Sequence, residues 1–245
     1  MAHAGRVVAE THRLVGEHVR SGVTTQALDE LAEEYIRSQG GVPTFLGYKG
    51  FPASLCLSPN DMVVHGIPGP YELQEGDILS VDVGVTLDGF VADAAFTHPV
   101  GEISQDATRL LEVGQAALAA GVAQARAGNR LSDISHAVQS VTEAAGFSVI
   151  RSLVGHGVGR SMHEDPQIPN FGEPGHGPLL QPGMTLAIEP MINAGGPDVY
   201  LHDDHWSIST EDGSLSCHFE HTVAVTESGP RILTEANHVP VRQAV

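Results

Sequence analysis

The sequence predicts an α+β fold built from a duplicated unit, with curved antiparallel sheet inside and helices packed outside. Three observations lead there. A turn-and-strand segment occurs twice, a helix with the same glycine landmarks precedes each copy, and an Asp-Gly hairpin joins two strands of buried-sheet composition.

Along the chain, a first helix is expected around Val8–Val19, although its periodicity is irregular. Leu28, Leu31, Ala32, Tyr35 and Ile36 share one helical face. Thr24 or Thr25 could cap that second helix, and Gly40 sits where a left-handed stop is expected. Two strands, Ile78–Val85 and Phe90–Thr97, follow, joined by Thr86-Leu87-Asp88-Gly89, a strong hairpin signal. A third helix carries Leu110, Val113, Gly114, Ala117, Leu118, Gly121, Val122 and Ala125 at helical spacing. A fourth carries Ile134, Ala137, Val138, Val141 and Ala145, with Ser132 as its expected cap and Gly146 as its stop.

The repeat is specific. Leu73-Gln74-Glu75-Gly76-Asp77-Ile78-Leu79-Ser80-Val81-Asp82 matches Leu180-Gln181-Pro182-Gly183-Met184-Thr185-Leu186-Ala187-Ile188-Glu189, and each runs through a strand to a carboxylate. Arg20, Gly22 and Gly40 recur as Arg126, Gly128 and Gly146 at constant spacing. We expect one domain over residues 1–245, with halves of roughly 1–105 and 106–245.

Composition narrows the function. With 41% hydrophobic residues in 245, a sizeable core is available. No stretch approaches the roughly 18 consecutive apolar residues of a membrane span, and Met1–Glu10 lacks the apolar run of a signal peptide. Two cysteines, Cys56 and Cys217, cannot build a disulfide framework, which suits a reducing cytoplasm. The formal charge is -18 and Lys plus Arg total only 12, scattered, so no basic patch is available for nucleic acid.

The acid matters where it is buried. A four-residue loop would set Asp82 opposite Asp93, whereas a two-residue turn at Asp88-Gly89 would make them diagonal neighbours. Either register leaves both on one face. Their flanking residues, Val81, Val83, Val91, Ala92, Ala94, Ala95 and Phe96, are those of a buried sheet. Buried like charges destabilise unless they take up protons or bind cations. The second half offers Glu189, the repeat partner of Asp82, Glu220 in the strand-like Ser216–Val225, and His156 within Gly155-His156-Gly157-Val158-Gly159. Four carboxylates would be neutralised by two divalent cations, and one imidazole among them suits Mn, Fe, Co or Zn better than Ca or Mg.

These residues resemble the Asp-Asp-His-Glu-Glu metal set of the pita-bread metallopeptidases, and the surrounding strings look like the type I methionine aminopeptidases. The strings are Asn60-Asp61-Met62-Val63-Val64-His65-Gly66-Ile67-Pro68, Val81-Asp82-Val83 to Asp93, Gly155–Arg160 with His163-Glu164 and Pro166, Glu189-Pro190-Met191, and Phe219-Glu220-His221-Thr222. They cover nearly the whole chain in order. Two departures stand out. Met1–Arg6 lies where the family usually has a short leader, a difference expected to affect packing more than chemistry. Met162 replaces the Phe that many bacterial relatives carry, giving the pocket a softer wall.

The resemblance implies a pseudo-two-fold pita-bread fold and removal of the initiator methionine from nascent polypeptides when the second residue is small. It implies that Asp93 and Glu220 bridge two metals, that Asp82 holds one and His156 with Glu189 the other, and that a water activated by both attacks the scissile carbonyl. Glu189 would act as general base, His163 would bind the carbonyl oxygen, and His65 would meet the scissile nitrogen. Phe45, Tyr48, Phe51, Cys56, Met162 and Trp206 would line the methionine pocket, although Phe51 and Cys56 also suit a plain core. Asn60 and Ser216 match positions that help hold an alkali cation in some relatives. His202 and His205 read as loop residues, and His136 and His176 as structural or surface residues. A cytoplasmic monomer, transiently near the ribosome and without membrane or nucleic-acid contacts, is the expected setting. The competing readings are an Xaa-Pro aminopeptidase or prolidase-like enzyme, which usually carries an extra N-terminal domain where this chain begins at the catalytic fold, and a non-catalytic peptide-binding relative.

Overall fold

The computed structural model describes residues 1–235; residues 236–245 of the expected domain lie outside the described residues. The first half contains helices α1 (Ala2–His18) and α2 (Thr25–Ser38) and strands β1 (Val42–Pro43), β2 (Leu55–Pro59), β3 (Met62–Val64), β4 (Ile78–Leu87) and β5 (Phe90–Pro99). The second half opens with α3 (Gln105–Gln124), α4 (Leu131–Ala144), β6 (Ser148–Val149), β7 (Val154–Gly157), β8 (Glu164–Pro169) and β9 (Thr185–Ile188). It continues through β10 (Met191–Asn193), β11 (Val199–Leu201), β12 (Ile208–Thr210), β13 (Ser216–His218), β14 (His221–Thr226) and β15 (Gly229–Ile232).

α1 begins well before the expected Val8 because its buried face includes Ala4, Val7, Thr11, His12 and Val15. Two polar residues on that face blur its period. Thr11 Oγ1 donates to Val7 O at 2.7 Å, and His12 Nε2–H donates to Ala94 O at 2.8 Å. For α2 the cap is Thr24, whose Oγ1 accepts from Ala27 N at 3.2 Å, while Thr25 is the first helical residue. The expected cap of α4 is corrected. The N-cap position is Arg130, Asp133 Oδ2 accepts from its N–H at 2.7 Å, and Ser132 Oγ instead accepts from His176 N at 2.7 Å. Gly40 and Gly146 stop their helices at φ 76 and φ 83, where a side chain would be strained.

The hairpin takes the two-residue turn. Leu87 pairs with Phe90, and Asp88 and Gly89 have φ 53 and φ 74, the type I′ signature. Both strands run two residues beyond the expected ends. Asp82 therefore faces Ala95, and Asp93 faces Gly84. The two acids are diagonal neighbours on the face opposite Val81, Val83, Ala92 and Ala94, which pack under the helices.

β5 lies along one edge of β4, and β1 and β2 follow one another along the other. The second half builds a five-stranded antiparallel sheet in the order β15-β14-β9-β7-β8, with two smaller sheets, β13-β10-β6 and β11-β12-β3, between the halves. Each half has its own apolar core. Val8, Val15, Leu28 and Ile36 pack on Leu55, Leu57, Val81 and Val83. Leu110, Ala117, Ile134 and Val138 pack on Leu186, Ile188, Phe219 and Val223. Each fully buried aliphatic side chain of this kind contributes about 1.5–3 kcal/mol.

The duplication extends to individual hydrogen bonds. Gly22 N donates to Leu73 O at 2.8 Å and Gly128 N to Leu180 O at 3.0 Å; Gly76 N donates to Val100 O at 2.9 Å and Gly183 N to Val225 O at 3.0 Å. Two threonines stitch the halves together reciprocally. Thr97 Oγ1 donates to His218 O and accepts from His218 N, both at 2.9 Å. Thr222 Oγ1 donates to Asp93 O at 2.8 Å and accepts from Asp93 N at 3.0 Å. Between them Glu220 N donates to Ala95 O at 2.8 Å.

His12 is buried against β5, and His98, on that strand, is half-buried. His12 Nδ1 and His98 Nε2 have no hydrogen-bond partner among the described residues. Burial lowers their pKa values to about 4 and about 3. A folded-state value below the unfolded 6.5 means that the unfolded chain binds the extra proton in acid. This contribution to stability is present above pH 6.5 and is lost as pH falls towards the folded value. Between pH 6.5 and about 4.5, the wild type should therefore lose about 2–3 kcal/mol more stability than His98→Gln, measured by urea unfolding. Parallel pH profiles would show that His98 accepts a proton in the native state.

Candidate metal centre and adjoining pocket

Strand parity brings the acids of the two halves to one place. Asp82 and Asp93 project from the β4–β5 face away from the helices, and Glu189 and Glu220 come from the residues that follow β9 and precede β14. Gly155 and Gly157 flank His156 on β7 because the neighbouring backbone leaves no room. A Cβ at Gly155 would lie 2.5 Å from Ala187 O, and one at Gly157 would lie 2.2 Å from Asp165 O. His156 is thereby pressed between β8 and β9 with its ring towards the acids.

One ligand atom each of Asp93, His156 and Glu220 falls within a 4.8 Å group, and all three residues are buried. His156 Nε2 is 3.6 Å from Asp93 Oδ2 and 3.6 Å from Glu189 Oε1. Its Nδ1–H donates to Gly157 O at 2.9 Å, which fixes the tautomer and leaves the Nε2 lone pair facing the carboxylates. Thr222 Oγ1 also lies 2.9 Å from Asp93 Oδ1, and Asn170 Nδ2 steadies the turn at Glu189 by donating to its carbonyl at 3.0 Å. Asp82 completes the set, with Oδ1 buried and without a partner.

Electrostatics make this arrangement costly for the protein alone. Desolvation, then the charge of Asp93, raises Asp82 well above the usual carboxylate range. Desolvation raises Asp93 too, opposed by His156, Thr222 and Glu220. Glu189 and Glu220 are driven up by desolvation and by the other acids. A site that repels its own ionised form, presents an oriented imidazole nitrogen and leaves a carboxylate oxygen unpaired fits divalent cations held by oxygen and nitrogen donors. The residues able to hold them are Asp82, Asp93, His156, Glu189 and Glu220.

All five open into a cavity of about 200 Å³, lined also by Phe45, Tyr48, Phe51, Cys56, Met162, Trp206, His65, His163 and Lys49. Every expected pocket residue is there. Phe45, Phe51, Cys56 and Met162 are nearly inaccessible and form one apolar cluster with Trp206 against it, so Phe51 and Cys56 are core and wall at once. Phe51 meets Trp206 edge-on at 5.1 Å. Asp204 fixes Trp206 by accepting from the N–H groups of Trp206 and Ser207, each at 2.8 Å.

His65 follows β3 with φ 58, a conformation that costs a bulky residue about 1–3 kcal/mol. Ties from its neighbour Gly66 hold the turn: Leu57 N donates to Gly66 O at 2.9 Å and Gly66 N to Ser58 Oγ at 3.1 Å. Burial lowers the His65 pKa. His163 reaches about 4 through burial, then the nearby His156, Lys49 and His65, so both imidazoles are neutral at pH 7. Both also line a second cavity of about 210 Å³ with Val64, Leu153, Val154, Met191 and His218.

The remaining expectations fall outside this cavity. Ser216 N donates to Asn60 O at 2.9 Å, so these two residues adjoin, while Asn60 Nδ2 is engaged by Asp77 Oδ1 at 2.9 Å. His202 pairs with Ser209 Oγ at 2.8 Å, His205 is exposed in the loop, His136 pairs with Gly172 O at 3.2 Å and His176 is exposed. Sequence reasoning missed His218, whose Nε2 is 3.7 Å from Glu189 Oε2, because nothing local distinguishes it. It also missed Lys49, although a signal existed: Lys49 is the only lysine in the chain.

The description "metallopeptidase family M24" matches residues 1–227. The chain is 52% identical over 234 residues to methionine aminopeptidase 1 of Bacillus subtilis (strain 168), covering 96% of this chain and 94% of that one. It is 48% identical to methionine aminopeptidase 1 of Mycobacterium tuberculosis, covering 96% and 91%. The crystal structure of methionine aminopeptidase from Thermotoga maritima superposes with a TM-score of 0.95 at 44% identity, covering 96% of this chain and 95% of that one. A prolidase from Pyrococcus furiosus shares the fold alone, with a TM-score of 0.77 at 18% identity, covering 97% of this chain and 63% of that one.

Divalent cation binding to the metal-free protein at pH 7 should release protons, because the raised carboxylates must ionise to bind. Thr222→Val, which removes a hydroxyl from Asp93, should weaken binding about tenfold. Calorimetry in two buffers of different ionisation enthalpy reads both effects; binding without proton release would show that the acids are already ionised.

Proposed function

The chain belongs to metallopeptidase family M24, and we infer from this that it is a metal-dependent aminopeptidase that removes the N-terminal methionine of polypeptides. The observation that carries the reading is the convergence of buried acids, His156 and an apolar pocket in one cavity. Near-full-length similarity to methionine aminopeptidases supports it, whereas the prolidase likeness is one of fold alone.

On this reading Asp82, Asp93, His156, Glu189 and Glu220 hold two divalent cations from the Mn, Fe, Co and Zn group. Such cations, when bound, supply an acidified water and polarise the scissile carbonyl. The methionine side chain enters between Phe45, Tyr48, Phe51, Cys56, Met162 and Trp206, where flexible and aromatic walls suit a thioether. Glu189 takes the water proton as general base. Neutral His163 donates a hydrogen bond to the carbonyl oxygen as negative charge develops there. His65, rigid in its left-handed turn, hydrogen-bonds at the scissile nitrogen. The second residue occupies the adjoining cavity beside Leu153, Met191 and His218.

Both halves contribute to this one site, which supports a single catalytic domain over residues 1–245. The substrates are nascent N-termini, which assigns the enzyme to the cytoplasm close to the ribosome. On this reading it acts as a monomer. Among the described residues no helix is long and apolar enough to cross a membrane. An alkali cation beside Asn60 and Ser216 would brace β13, which leads into Glu220.

Metal-loaded enzyme should release methionine from Met-Ala-Ser and leave an Xaa-Pro peptide intact; the reverse pattern would favour a prolidase-like activity, and no turnover of either a binding protein. Asp93→Asn and Glu220→Gln should abolish release, as read by amino-acid analysis. His65→Ala and His163→Ala should lower kcat about a hundredfold with metal content unchanged by elemental analysis. Loss of metal in either would move that histidine into the metal set.

A further inference from the structure

We propose that Tyr48 is a positioning residue for this reaction: its phenol hydroxyl fixes His163 as the tautomer that presents Nε2–H to the substrate. The proposal rests on the role assigned to His163 above and adds a residue that the pocket description treats only as wall.

Tyr48 Oη lies 2.8 Å from His163 Nδ1. The two rings are stacked, with centroids 5.5 Å apart and planes 27° apart. A neutral imidazole has one N–H and one acceptor nitrogen, and the partner of one nitrogen decides the state of the other. A phenol is a stronger acid than a neutral imidazole N–H, and imidazole nitrogen is a stronger base than a phenol oxygen. The favoured bond is therefore O–H to Nδ1, which puts the ring proton on Nε2. Among the described residues Nε2 of His163 has no hydrogen-bond partner, and the ring borders both cavities. The nitrogen with the proton is thus the one left for substrate.

The local backbone is built to hold the phenol there. Tyr48–Gly50 forms a single 3₁₀ turn between Phe45 and Phe51. Four backbone bonds close it: Tyr48 N to Phe45 O at 2.9 Å, Gly47 N to Phe51 O at 2.8 Å, Gly50 N to Gly47 O at 3.1 Å, and Phe51 N to Tyr48 O at 2.9 Å. Lys49 accepts the left-handed φ of 49 that this tight turn requires, a strained state for a long side chain. Its ammonium then lies 5.3 Å from the centre of the Tyr48 ring, within cation–π range. Held by the turn below and covered by the ammonium above, the ring has little freedom to carry its hydroxyl away from His163.

A wall residue and a positioning residue are separated by Tyr48→Phe, which keeps the ring and removes only the hydroxyl. In the metal-loaded enzyme with Met-Ala-Ser we expect kcat to fall roughly tenfold, the loss of one orienting hydrogen bond. KM should stay within twofold and metal content should not change. In the His163→Ala background the same substitution should cost nothing further, because the hydroxyl acts only through that ring. An independent readout is the nitrogen spectrum of ¹⁵N-histidine-labelled metal-free protein, with His163 assigned by its loss in His163→Ala. The wild type should show Nδ1 unprotonated and Nε2 protonated, and Tyr48→Phe should show the two tautomers mixed. Wild-type kcat in Tyr48→Phe, an equal loss in both backgrounds, or a wild-type spectrum with the proton on Nδ1 would each overturn the proposal. If His163→Ala itself turned over normally, the role of His163 would be the part that fails. The wild-type spectrum decides the tautomer even if Tyr48→Phe folds poorly.

Discussion

Four carboxylates share one desolvated cavity, and the rest of the structure is organised around that repulsion. Among the described residues no arginine lines the cavity, and the single lysine of the sequence is an exposed residue of its lining. The negative charge is therefore not neutralised from within by side chains. Relief must come from protons or from cations brought in from solution, and the oriented Nε2 of His156 favours the second. The cost is borne by packing elsewhere: each half buries an aliphatic core under its own helix pair, and that burial holds the strands in the parity that points the acids inward.

Much of this was legible in the sequence, because parity and repetition are local properties. Residues spaced evenly on a strand share a face whatever the register, so Asp82 and Asp93 could be assigned to one face while the turn was still open between two forms. The turn itself was decided by the left-handed pair Asp88-Gly89, which admits a two-residue hairpin. Where the local signal was ambiguous, the reading slipped. Ser132 had the composition of a cap but is used by His176 N, and α1 hid its buried face behind Thr11 and His12, whose Oγ1 and Nε2 find backbone partners. His218 and the second cavity depend on strands distant in sequence, and no spacing rule announces them.

The duplication is also less symmetric at the site than the motifs suggest. Asp82 and Glu189 are true counterparts, but strand pairing aligns Glu220 with Ala95 rather than with Asp93. His156 comes from β7, which pairs with β9 as β2 pairs with β4, and Trp206 from the loop between β11 and β12. The repeated framework thus supplies the concentrated charge, while the first half supplies Phe45, Tyr48, Phe51 and Cys56 of the side-chain pocket and the second half supplies the imidazole, Met162 and Trp206. The reciprocal threonine stitches join the two contributions, since Thr222 reaches into the backbone at Asp93 and Thr97 into that at His218.

The solitary lysine has a practical corollary for anyone who handles this molecule. Besides the α-amine of Met1, reagents that acylate amines, whether fluorophores, biotin esters or activated resins, find one ε-ammonium on the entire polypeptide, and it lines the cavity shared with the candidate metal ligands. Labelling by that chemistry would graft its cargo onto the cavity mouth, so surface attachment is better directed to a residue introduced on the outer faces of α3 or α4.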